Sequence, residues 1–113
     1  MDWQHFLDDM NHDLAALRPQ IPETMKGFGA MARAASATGA LDAKTKELLA
    51  LAIGVAVHCD PCIGFHAKAA RKAGASRAEV AEAIGMCVYM GGGPALMYGA
   101  KAMAAFDAFA EQG

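Results

Sequence analysis

Cys59, Asp60, Pro61 and Cys62 form a Cys-x-x-Cys pair, with His66 four residues after the second cysteine and Glu47 twelve residues before the first. Two thiols this close, one of them a helical turn from an imidazole, are the parts of a dithiol redox centre. Asp60 reads as a helix N-cap and Pro61 as the first helical residue, which places Cys62 in the first turn of a helix. Unpaired backbone N–H groups and the positive end of the helix dipole favour a thiolate there. His66, at i+4 on the same face, can take the thiol proton or hold a charge opposite the thiolate. Cys59, just outside the helix, can close a disulfide with Cys62 through a short loop, a bond suited to turnover more than to stapling.

Glu47 opens the apolar run from Leu48 to Val57, and Leu51, Val55 and His58 follow it at helical spacing along the same side. A carboxylate at the edge of an apolar wall is suited to moving protons near neutral pH, so Glu47 and His66 are expected to exchange protons with the sulfurs, directly or through water. The competing reading of Glu47 is a solvated partner of Lys44 or another nearby cation. Gly64, between Cys62 and His66, is expected to leave the helix surface open for a small substrate. A metal site built on Cys59, Cys62, His66 and Glu47 or His58 lacks the second spaced ligand pair usual in structural zinc sites, and no metal or cofactor is assigned. Cys87 reads as a buried small hydrophobe, His5 and His12 as surface residues, and Met86, Met90, Met97 and Met103 as pliable core or interface.

The elements that must position these groups are helical, because apolar residues recur at three- and four-residue intervals and no segment alternates. The fold class is therefore all-α, with about six helices in one domain over residues 1–113. A first helix runs from about Asp2 to Leu17 with Phe6, Met10, Leu14 and Leu17 on one face, and stops before Pro19. Pro22 opens a second, with Met25, Phe28 and Met31 inward, which Gly39 ends. Asp42 caps a third that carries Glu47 and reaches about His58; its apolar run belongs inside a core or an interface. The fourth follows Asp60 and ends at Gly74, and Ser76 with Glu79 forms a capping box for a fifth. Gly91-Gly92-Gly93-Pro94 is a turn before a last helix carrying Leu96, Met97, Met103, Phe106 and Phe109.

The chain is 55% apolar, above the usual ~45–50%, through alanine and methionine more than aromatics. A small domain so composed is expected to cover part of its surface with copies of itself. The formal charge of −2 and scattered Lys and Arg argue against nucleic acid as a partner. No basic leader is seen, and the Leu48–Val57 run is half of a bilayer span, so a soluble, cytoplasmic chain without a membrane partner is expected.

From Leu41 through Phe109 the sequence resembles the alkylhydroperoxidase D-like branch of the carboxymuconolactone decarboxylase family. The resemblance is carried by Glu47, its spacing to Cys59-Asp60-Pro61-Cys62, then His66, the Ala-Gly-Ala-Ser-Arg-Ala-Glu-Val segment at 73–80, and Gly-Gly-Gly-Pro-Ala at 91–95. It implies an all-helical antioxidant-type protein in which Cys62 is the peroxide-reacting cysteine, Cys59 its disulfide partner, and Glu47 with His66 the proton relay. It also implies trimers or hexamers and an external dithiol reductant of the lipoyl or thioredoxin-like kind. Longer members carry a further glutamate, whose nearest counterpart, Glu23, is given no role here; His58 precedes the cysteine pair and does not lie within it.

The expected activity is thus reduction of hydroperoxides or disulfides. Three other classes stand beside it: a redox sensor without turnover, a metal-binding structural domain, and a lactone decarboxylase-type lyase, for which the missing cysteine pair of the name-giving enzyme is unfavourable.

Overall fold

The computed structural model describes residues 1–110, which fold into five α-helices and one short 3-10 turn: α1 (Trp3–Leu17), the turn (Arg18–Gln20), α2 (Pro22–Ser36), α3 (Ala43–Ala56), α4 (Asp60–Lys72) and α5 (Arg77–Ala110). No strand occurs among the described residues, and the fold is all-α as the periodicity requires.

Local chemistry starts these helices where side chains can satisfy their first N–H groups. Asp2 accepts from the His5 N–H at 3.0 Å, and Asp42 from the Thr45 N–H at 2.8 Å. At α5 the box is reciprocal: the Glu79 N–H donates to Ser76 Oγ at 3.0 Å, and the Ser76 N–H to Glu79 Oε1 at 2.8 Å.

Both α3 and α4 end in the same six-residue device. The Cys59 N–H donates to the Gly54 carbonyl and the His58 N–H to the Val55 carbonyl; after α4, Ala75 and Gly74 do the same to Ala70 and Arg71. These are Schellman motifs, which need one residue of positive φ. Gly74 supplies it after α4 with φ 92°, but His58 supplies it after α3 with φ 59°. The third helix therefore stops at Ala56, short of the expected His58.

Helix α5 is broken at Gly92, whose φ of 68° and ψ of −147° are open to glycine, two residues before Pro94. The chain folds back there. Arg77 Nε, near the start, donates to Asp107 Oδ1, near the end, at 2.9 Å, and a Cβ added to Gly99 would lie 2.5 Å from Ile84 Cγ2. By length and composition α5, and not the Leu48–Val57 run, is the one described helix apolar enough to cross a bilayer. Its fold-back makes it a hairpin packed on α3 and α4.

The core joins α3, α4 and the α5 hairpin through Leu51, Val55, Ile63, Val80 and Phe106, with Trp3 and Leu7 of α1 closing it from the side. The buried face of α1 thus differs from the expected one: Phe6, Met10 and Leu14 are half-buried and Leu17 is exposed. Truncating a fully buried aromatic such as Phe106 to alanine costs about 3–5 kcal/mol in cores of this kind.

Helix α2 departs further from expectation. It ends at Ser36, before Gly39, and it buries no residue; Phe28 and Met31 are each 61% exposed where an inward face was expected. The Lys46 ammonium holds its C-terminal end by donating to the Ala35 carbonyl at 2.9 Å and to the Ala37 carbonyl. The radius of gyration, 14.3 Å, exceeds the ~13 Å of a compact chain of this length, as a helix standing away from the core requires. Leu49 and Ile53 of α3, Val57 just after it, and Met86, Tyr89, Met90, Leu96 and Met97 of α5 are also exposed. The apolar run is therefore core on one side only, through Leu51, Gly54 and Val55.

Candidate active site

The Cys59–Cys62 pair sits in the corner between α3 and α4, and one residue serves both helices. Cys59 is the last residue of the Schellman motif that ends α3 and the N-cap of α4. Its Sγ accepts from the Cys62 N–H at 3.2 Å, and its own N–H is held by Gly54 at 3.0 Å. The cap is thus the cysteine and not the expected Asp60; Asp60 and Pro61 are the first two helical residues and Cys62 the third. Cys62 keeps its expected place in the first turn. The two cysteines are joined by a disulfide, with Cα atoms 5.2 Å apart.

Gly54 admits this turn to the surface of α3. A Cβ there would come within 3.3 Å of Cys62 Cβ and 3.4 Å of the Ile63 backbone nitrogen. Its part in the site has no signal in the sequence beyond an isolated glycine in a helical run, which marks close approach of another segment. Gly64 does the opposite of what was expected of it. A Cβ at Gly64 would lie 2.7 Å from Leu7 Cδ2 and 3.1 Å from Trp3 Cε3, so this glycine seats α1 and leaves no opening beside the thiols.

Glu47 and His66 come together from α3 and α4: His66 Nδ1 and Glu47 Oε2 are 2.8 Å apart, with both side chains partly exposed. Lys44, the competing partner, instead pairs with Glu79 at 2.9 Å. An apolar cavity of about 360 Å³ borders Glu47 and His66 and is otherwise lined mainly by Ala32, Ala35, Leu41, Ala50 and Ile53 of α2, α3 and the segment between them. The site therefore holds a cysteine pair at a helix start, an imidazole one turn further along that helix, and a carboxylate that fixes one ring nitrogen. Such a set can activate a thiol, close a disulfide and move protons.

Two flanking residues, Lys101 and Tyr98, escaped the sequence reading of the pair. Asp60, between the cysteines, is bound by Lys101 Nζ at 3.0 and 3.2 Å. His58 stacks on Tyr98 with ring centroids 4.4 Å apart and planes 6° from parallel. Lys101 Nζ also lies 5.0 Å from the centre of the Tyr98 ring. Cys87 is buried as expected; its thiol donates to the Ala52 and Ala83 carbonyls, and burial pushes its ionisation up from the ordinary value. His5 and His12 are exposed on α1, and Glu23 is exposed at the start of α2.

Known proteins resemble this chain in sequence and fold at several distances. The model of the carboxymuconolactone decarboxylase family matches residues 22–106. An uncharacterized protein of Cupriavidus necator is 40% identical over 102 residues, 90% of each chain, and an uncharacterized protein of the cox locus in Paracoccus denitrificans is 39% identical over 80 residues, 71% of this chain and 72% of its own. The apo crystal structure of a carboxymuconolactone decarboxylase family protein from Legionella pneumophila is 50% identical, with a TM-score of 0.91 over 95% of this chain and 96% of that one. A Thermotoga maritima family protein, for which a part in the antioxidative response has been suggested, is 26% identical, with a TM-score of 0.83 over 94% of this chain and 91% of its own. On the family match, the close relatives and the shared fold, the chain belongs to the carboxymuconolactone decarboxylase family and is consistent with its alkylhydroperoxidase D-like branch.

Proposed function

We propose that this chain is a thiol-dependent antioxidant oxidoreductase that reduces hydroperoxides or small disulfides through Cys59 and Cys62. The observation that carries the reading is the position of the pair: a disulfide at the start of α4, one turn from an imidazole whose Nδ1 is 2.8 Å from a carboxylate on α3. The Thermotoga relative with its suggested antioxidative role supports the same class of activity.

In the reduced protein the Cys62 thiolate attacks the distal oxygen of a hydroperoxide. The O–O bond breaks, the alkoxide leaves as an alcohol after taking a proton, and Cys62 becomes a sulfenic acid. The Cys59 thiol then displaces water from that sulfur and forms the disulfide. An external dithiol, of the lipoyl or thioredoxin-like kind, exchanges with the disulfide, restores both thiols and leaves oxidised itself. Glu47 holds Nδ1 of His66, which leaves Nε2 to take the Cys62 proton and to deliver one to the leaving oxygen, directly or through water. The apolar cavity bordering Glu47 and His66 can take the organic part of the substrate.

The exposed apolar residues of α2, α3 and α5 support self-association, for which the family resemblance implies trimers or hexamers. The test of the activity is peroxide consumption with a dithiol reductant. Wild type is expected to turn over and Cys62→Ser to be inactive; equal rates in the two would sink the peroxidase reading.

A further inference from the structure

Asp60 is an unfavourable residue to find between two redox cysteines. Its carboxylate lies in the same helical turn as Cys62, where a negative charge opposes formation of a thiolate. The helix dipole favours an acid at this position, but the dipole also serves the sulfur, so the two anions compete for one positive end. The fold answers with a cation brought from 41 residues away: Lys101 Nζ meets both oxygens of Asp60, at 3.2 and 3.0 Å. One turn earlier on the same arm of α5, Tyr98 stacks on His58, the residue of positive φ that precedes Cys59. The second arm of α5 therefore grips the dithiol corner on both flanks, at His58 and at Asp60.

We propose that Lys101 is a positioning residue of the dithiol centre, which cancels the charge of Asp60 so that the Cys62 thiolate forms in an almost neutral turn, while Tyr98 holds the backbone on the Cys59 side. This rests on the redox reading of the pair, but it concerns ionisation of the sulfur and not turnover. The charged and titratable groups around Cys62 are the Cys59 thiol of the reduced pair, Asp60 and His66 on α4, Glu47 on α3 behind His66, His58 before the pair, and Tyr98 and Lys101 on α5. From α1 the packed side chains are Trp3 and Leu7, which are uncharged. Lys101 is thus the one lysine or arginine placed in this set, and its loss leaves the charge of Asp60 uncompensated in the turn where the thiolate develops.

The experiment is the pH dependence of Cys62 alkylation by iodoacetamide in the reduced full chain, resolved by residue with mass spectrometry, over about pH 5 to 9. Lys101→Met is expected to move the midpoint of thiolate formation up by about 0.5–1 pH unit, and Asp60→Asn to move it down. The double variant is expected to return close to wild type, and Lys101→Arg to stay there. The shift in Lys101→Met is also expected to shrink at high salt. An unchanged midpoint in Lys101→Met, or a double variant that keeps the full upward shift, would overturn the proposal, since a merely structural loss is not repaired by removing Asp60. The single Asp60→Asn variant keeps the test decisive if Lys101→Met folds poorly. The measurement uses no peroxide, so a failure of the peroxidase reading leaves it intact.

Discussion

His66 on α4 and Glu47 on α3, 19 residues apart in the chain, meet with Nδ1 and Oε2 at 2.8 Å. This contact ties two separate helices together beside the cysteine pair, and under the proposed mechanism it makes them one proton-handling unit. Because the imidazole has only one ring nitrogen left for other partners, the carboxylate also decides which nitrogen faces the chemistry.

Glu47→Gln and His66→Gln are each expected to slow peroxide reduction by about 10²-fold, within the usual range for loss of a general acid or base. The double variant is expected to be little worse than either, because the two act as a unit. Initial rates with a dithiol reductant check this, with circular dichroism confirming that helicity is kept. Multiplicative losses in the double variant would mean that the two residues work independently.

His58 stands where Gly74 stands in the matching motif after α4. A residue with a Cβ costs about 1–2 kcal/mol in this conformation, and the Tyr98 stack offsets it. His58→Ala keeps the strain and loses the stack, and is expected to destabilise by about 0.5–1.5 kcal/mol. His58→Gly loses the stack but relieves the strain, and is expected to be more stable than His58→Ala. Urea unfolding midpoints of the two variants decide it.

Gly54→Ala places a methyl group 3.3 Å from Cys62 Cβ and 3.4 Å from the backbone of Ile63. Both neighbours belong to the first turn of α4, which must shift by a few tenths of an ångström. A loss of about 1–3 kcal/mol is expected, as for other overpacked sites, together with slower disulfide closure in a thiol titration after peroxide. A variant as stable and as quickly oxidised as wild type would show that the turn has room to move.

The acid side of the stability curve rests on carboxylates held below their ordinary range. The Arg77 guanidinium does this for Asp107, the Thr45 N–H for Asp42, and the Ser76 N–H, then Lys44, for Glu79. In each case the unfolded chain binds the proton more readily, so their contribution is fully present above the unfolded value near pH 4 and is lost as the pH falls through the folded one. Denaturation midpoints are expected to fall below about pH 4, and less steeply in an Asp107→Asn, Glu79→Gln double variant. The effect is small, because these pairs are exposed to solvent.

The sequence is most legible where one residue carries its own reason. Asp42, Ser76 with Glu79, Gly74 and the Gly92 break are each recognisable from local chemistry and each stand where expected. Cys59 as a cap was hidden because oxygen side chains lead the capping preferences and Asp60 stood next to it. The buried face of α1 was hidden because Trp3 and Leu7 are selected by the notch at Gly64, on another helix. The outward Phe28 and Met31 look like core residues by periodicity, which reports an apolar stripe and not what covers it. Lys101 and Asp60 are 41 residues apart, and nothing local links them. Within the site, spacing alone brought Cys59, Cys62 and His66 into one group; the meeting of Glu47 with His66 needed the packing of α3 on α4.

The sulfur of Cys59 accepts the Cys62 amide proton while it is bonded to the Cys62 sulfur. The electron density on that acceptor changes when the bond between the sulfurs is made or broken, and the amide resonance of Cys62 must move with it. A single backbone signal at the head of α4 can therefore serve as a built-in spectroscopic gauge of how much of the protein is oxidised, with no label and no probe in the cavity.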